Sequence, residues 1–125
     1  MTIKRCTPNL YTDDVAACVQ FWTSRMQFEK TTEVPQEKGL AFAAIQHGQI
    51  ELMYGSFESL DKELGVATPP KGPSFLFVEV DDLDSALTAM SGAPMIVPVH
   101  KTFYGATEFT VTDPAGHFIT FAQFA

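Results

Sequence analysis

A chain of 125 residues, 46% of them hydrophobic, is long enough for one globular domain with its own core. Its net charge of −7 excludes a nucleic-acid binder, which must meet phosphates with basic groups, and argues against an anionic membrane surface. The start, Met1-Thr2-Ile3-Lys4-Arg5-Cys6, has no apolar signal-type run, no stretch is long enough to span a bilayer, and Cys6 and Cys18 show no CxxC spacing, so the expectation is free thiols in a cytoplasmic chain.

In chain order, residues 4–12 read as a strand in which Pro8 forfeits one ladder hydrogen bond. Asp13 or Asp14 then caps a helix over residues 14–26, because an Asp side chain accepts from the free amides of the first turn. Val15, Val19, Trp22 and Met26, with Cys18 beside them, form its apolar stripe, and Trp22 and Phe21 are read as core or dimer contacts. Strands follow at 28–34 and 40–46, and His47-Gly48 turns the chain into a third at 49–54. Residues 56–72 are a linker whose first part, 56–64, can form a short helix, whereas Thr68-Pro69-Pro70-Lys71-Gly72-Pro73 cannot continue any element.

The order then repeats. A strand at 75–80 leads to Asp82, which caps a helix reaching about Met90. Strands follow at 95–99, broken by Pro98, and at 107–112, and Asp113-Pro114-Ala115-Gly116 turns into the last strand, 118–124. Leu10 to Val19 and Val78 to Leu87 carry the same pattern, an extended apolar run, paired aspartates and an amphipathic run, at an offset of 68 that also relates Gly48 to Gly116. The chain is therefore expected to be an α+β fold of two β-α-β-β-β modules, 1–55 and 73–125, forming one pseudo-symmetric domain with a site in a cleft between halves.

Pro8-x-Leu10, Asp14-Val15, Phe21-Trp22-Thr23-x-Arg25-Met26-x-Phe28, Tyr104-Gly105, Glu108-Phe109 and Thr112-Asp113-Pro114-Ala115-Gly116 together resemble the vicinal oxygen chelate superfamily of glyoxalase I, extradiol dioxygenases and bleomycin-resistance proteins, most of all its bleomycin-binding branch. That resemblance implies modules curled into an incomplete barrel, a cup for a small-molecule ligand, and a homodimer. It further implies that metal-dependent members would place ligands at Thr7, Glu51, Phe75 and Thr120, the last only if one residue of slippage moves the offset to 69. Phe has no donor atom and a Thr hydroxyl is a poor replacement for imidazole or carboxylate, so no metal and no cofactor are expected. His47 and His117, beside turn glycines, and His100, in a loop, are expected to be turn or surface residues.

Strand alternation then assigns faces. Thr7 and Asn9, Gln49, Glu51 and Met53, Phe75 and Phe77, and Phe118, Thr120 and Ala122 are expected to face the cup, with Ile50, Leu52 and Tyr54 turned toward the helices. Such a wall reads as a ligand-binding surface of rings and a few polar groups, with side chains that simply fill a small barrel as the alternative. Glu51, among phenyl rings, must be paired, hydrogen-bonded or protonated, either by Thr7, Thr120, Gln49 or Arg5 or by a cationic ligand. Phe103 and Tyr104 precede the seventh strand, where they either stack on a planar ligand or are ordinary surface aromatics. The expected function is metal-free binding of a small molecule, an antibiotic or related natural product in its specific form. The alternatives are an enzyme using Glu51 as base or metal ligand, and a filled, vestigial or regulatory protein.

Overall fold

The computed structural model describes residues 1–65 and 72–125, so the expected linker segment 66–71 lies outside the described residues. The described chain falls into two compact units, Met1–Lys71 and Gly72–Ala125, each built on an open, mixed four-stranded sheet that does not close into a barrel. The α+β reading of two β-α-β-β-β units holds.

The first unit runs β1 (Asn9–Thr12), α1 (Val15–Arg25), β2 (Glu29–Pro35), β3 (Leu40–His47), β4 (Ile50–Ser56) and α2 (Phe57–Leu64). Its sheet order is β1-β4-β3-β2, with β1 parallel to β4 and the other pairs antiparallel. β1 is shorter than the expected 4–12 because Pro8 has no N–H to give the ladder, although its carbonyl still accepts from Met53 N at 2.9 Å. Asp14 caps α1 by accepting from Ala17 N at 3.1 Å, and Thr12 Oγ1 accepts from Asp14 N at 3.0 Å. Val15, Cys18, Val19, Phe21 and Trp22 are buried, and the Trp22 indole N–H donates to the Tyr54 hydroxyl at 2.9 Å. Helix α1 ends where Gln27 takes a left-handed φ of 57°, and Phe28 N then reaches back to Trp22 O at 3.4 Å. Ser56 caps α2 through Ser59 N at 3.0 Å, so the linker's first half is the expected short helix.

The second unit runs β5 (Phe75–Glu79), α3 (Leu83–Ala89), β6 (Met95–Lys101), β7 (Ala106–Thr112) and β8 (Phe118–Phe124), in sheet order β5-β8-β7-β6. Asp82 caps α3 through Ser85 N at 3.1 Å. Pro98 does not end the sixth strand. β6 is an edge strand, so the missing N–H costs no central hydrogen bond, and the irregularity appears as register shifts between Met95 and His100. His100 consequently lies within β6 rather than in the loop after it.

In each unit one sheet face carries the core. Leu10, Ala43, Ile45, Leu52 and Tyr54 are buried in the first unit, and Phe109, Val111, Ile119 and Phe121 in the second, with the Phe109 and Phe121 rings stacked at 5.3 Å. Ile50, expected beneath the helix, is exposed because it opens β4 beside the Gly48 turn. His117 is buried rather than superficial: its Nδ1 accepts from Ser74 N at 2.8 Å, tying the Asp113–Gly116 turn to the start of β5.

Candidate functional site

The sheet face opposite the helices is the one available to a ligand, and strand alternation places the expected site residues on it in both units. In the first unit Asn9 lies across from Met53, and Thr7, just before β1, donates its hydroxyl to Glu51 Oε1 at 2.7 Å. The Arg5 guanidinium stands 3.4 Å from the same oxygen. Glu51 is thus satisfied by its own chain, as its position among weakly polar neighbours requires. Tyr11 continues the row. A Cβ on Gly55 would come within 2.9 Å of the Tyr11 ring, so this glycine lets the phenol lie flat across β4. Burial, then the charge of Glu63, raises the Tyr11 hydroxyl above its ordinary pKa.

The second unit presents rings at the same level. Phe75 and Phe118 pair across β5 and β8 with centroids 5.0 Å apart and planes 9° from parallel, and Phe75 is 76% exposed. Phe77 lies across from Thr120, whose hydroxyl shares a 2.7 Å hydrogen bond with that of Thr110 on β7. The ladders relate Asn9 to Phe77 at offset 68 but Met53 to Thr120 at 67, so Phe118 holds the ladder level of Glu51, two residues before the expected Thr120. Ala122 faces this side as expected and is fully buried.

Phe103 and Tyr104 form an edge-to-face pair at 5.1 Å in the loop between β6 and β7. Phe103 is completely exposed, whereas the Tyr104 hydroxyl donates to Glu108 Oε2. Thr102 holds the loop closed by accepting from Ala106 N at 3.1 Å, and Gly105 supplies the required φ of 90°. Glu108, absent from the expected site set, is only 6% exposed although it lies on this open face. Alternation along β7 could have found it, since Glu108 and Thr110 share the parity of Thr120's partner, but its burial depends on Tyr104 folding back.

Of the four positions that the resemblance assigns to ligands, three hold a hydroxyl already donated to Glu51, a carboxylate already beside a guanidinium and the Phe75 ring, and the fourth, at the ladder level of Glu51, holds the Phe118 ring rather than Thr120. A divalent ion needs several N or O donors converging on one point, and the Arg5 guanidinium beside the one carboxylate repels it. This donor set does not fit a divalent metal. Among the described residues no three His, Cys, Asp or Glu side chains converge. Nor, among them, is any helix long and apolar enough to cross a membrane.

Comparison with known proteins places these faces in context. A profile of the Glyoxalase/Bleomycin resistance protein/Dioxygenase superfamily matches residues 2–121. No curated protein matches the chain in sequence. Among solved structures, TioX from Micromonospora sp. ML1 superposes with a TM-score of 0.77 at 18% identity, covering 98% of this chain and 99% of that one. Lactoylglutathione lyase from Agrobacterium tumefaciens gives 0.77 at 16% identity, covering 98% and 96%. A glyoxalase/bleomycin resistance protein/dioxygenase family enzyme from Burkholderia phytofirmans PsJN gives 0.76 at 18%, covering 95% and 97%. At such identities the likeness is one of fold.

Proposed function

The chain belongs to the glyoxalase/bleomycin resistance protein/dioxygenase superfamily, and from that premise we propose that it binds a small, planar organic molecule without a metal and without transforming it. The carrying observation is the Phe75–Phe118 stack, which leaves a broad ring face uncovered where a metal-dependent relative needs donor atoms. Rings give area and offset-stacking preference, while hydroxyl and carboxylate groups nearby fix orientation. Phe77, Phe103, Tyr104 and Thr120 extend that surface in the second unit. Thr7, Asn9, Glu51 and Met53 offer a more polar face in the first. Sequestration of an antibiotic or related natural product is the specific form of this reading, and we assign it to a cytoplasmic homodimer, consistent with the free thiols of Cys6 and Cys18.

The competing reading makes Glu51 a general base or metal ligand. Its carboxylate already accepts from Thr7 and faces Arg5, which leaves it occupied rather than poised for a substrate proton. Likeness to a lactoylglutathione lyase and to a family enzyme from Burkholderia phytofirmans PsJN stands on that side, and it extends to fold alone.

A thermal-shift screen over planar aromatic and cationic aromatic compounds tests the proposal. A true ligand at a hundred times its Kd stabilises by about 2.7 kcal/mol. Phe75→Ala should abolish the shift while leaving the free protein's melting temperature nearly unchanged, because the ring is already exposed. Stoichiometric transition metal in the purified protein, with turnover lost in Glu51→Gln, would replace binding by catalysis.

A further inference from the structure

Resting on the binding reading above, the second unit contains a polar end point that specifies the ligand's chemistry. Glu108 on β7 lies between His100 on β6 and Ala122 on β8, each directly across the ladder. Its Oε2 is taken by the Tyr104 hydroxyl. Its Oε1 stands 4.0 Å from His100 Nε2, too far for a hydrogen bond. The His100 ring is oriented by Nδ1, 2.9 Å from Pro98 O. A carbonyl oxygen only accepts, so Nδ1 carries the hydrogen and donates, and Nε2 of the neutral ring is a bare lone pair. With the ring neutral, two acceptors face each other with no hydrogen between them.

The surroundings favour a positive occupant. Glu79 on β5 shares this face, separated from Glu108 only by the side chain of Ala122. Rings lead up to the same place: Phe77 lies 6.4 Å from Phe124, and Phe124 6.2 Å from the Tyr104 ring.

We infer that a primary ammonium or amidinium group of the ligand docks between Glu108 Oε1 and His100 Nε2, donating one hydrogen to each while the ligand's apolar body lies on Phe77 and Phe124. A cation with at least two N–H hydrogens satisfies both acceptors at once. A hydroxyl, with a single hydrogen, satisfies one. An anion or a carbonyl satisfies neither. Tyr104 holds Glu108 in place from the other oxygen and is a positioning residue.

Benzylammonium and its near-isostere benzyl alcohol are suitable probes. Calorimetric or NMR titration of the wild-type protein should show benzylammonium bound about ten to a hundred times more tightly, the range of a hydrogen bond to a charged group. Glu108→Gln, which keeps shape, should remove that preference while benzyl alcohol binds as before. Phe77→Ala should weaken both probes by a similar factor. On the wild-type protein alone, the His100 Nε2 nitrogen resonance should move with benzylammonium and stay still with benzyl alcohol, a readout that needs no variant to fold. Equal affinity for the two probes, or an unmoved Nε2 signal, overturns the ammonium site and leaves the aromatic face standing. If neither probe binds, both readings fail.

Discussion

Glu51 and Glu108 occupy the open faces of two similar sheets, yet their neighbours give them different chemistry. Glu51 meets a hydroxyl and a guanidinium and is balanced within its own unit. Arg5 is 72% exposed, so the ion pair is screened and Arg5→Ala should change stability by less than about 1 kcal/mol. Thr7→Val, which leaves a half-buried carboxylate short of a donor, should cost more, about 1–2 kcal/mol by urea denaturation. Glu108 meets a phenol instead. Its acceptance of the Tyr104 hydrogen holds that phenol above its ordinary pKa, with desolvation adding to the effect. A raised folded-state pKa means the tether is intact below the ordinary value of 10 and is lost as pH rises through the higher, folded one. Phenolate absorbance should therefore show Tyr104 titrating late together with Tyr11, and Tyr104→Phe should reduce the amplitude of that late titration by one phenol. An undiminished late amplitude in the variant would show that Tyr104 does not contribute to it, the part that remains belonging to Tyr11.

Among the elements, both aspartate pairs act as helix starts. Asp14→Ala should cost about 1 kcal/mol, read as a lowered denaturation midpoint with an unchanged slope. Asp82 shows the same role electrostatically. The hydroxyl and amide of Ser85 hold its carboxyl below the usual carboxylate value, so its contribution is present above pH 4 and fades as pH falls through the lowered value. These starts were legible in the sequence because a cap is a local device, an acidic side chain one residue ahead of an apolar stripe. Strand faces were legible for the same reason, since alternation needs only parity. Strand limits were less so. Pro8 and Pro98 carry the same chemistry but different outcomes, because Pro98 lies on an edge strand that bulges around it, and edge status belongs to the sheet rather than the segment. Glu108 escaped notice on similar grounds: nothing local buries it, and only the return of the Tyr104 loop and the small Ala122 opposite make it a sheltered acid.

At the scale of the molecule, the distribution of apolar side chains carries a last consequence. Phe75, Phe77, Ile96, Val97, Val99 and Phe103 are all exposed in the single chain, and every residue of β6 is exposed. Monomers in water rarely leave so many large apolar side chains uncovered, and a small ligand cannot cover an edge strand as well as a sheet face. The homodimer proposed above would cover what a ligand leaves bare, the β6 edge with Ile96, Val97 and Val99, and burying that edge would make folding and association one equilibrium. The melting temperature should then rise with protein concentration, because mass action favours the associated folded state. Sedimentation at micromolar concentration should give twice the 13.7 kDa chain mass. The net charge of −7 opposes close approach, so added salt should tighten the dimer as it screens that repulsion. A single-chain mass together with a concentration-independent melting temperature would mean that these side chains face water, and ligand binding alone would then have to account for their retention.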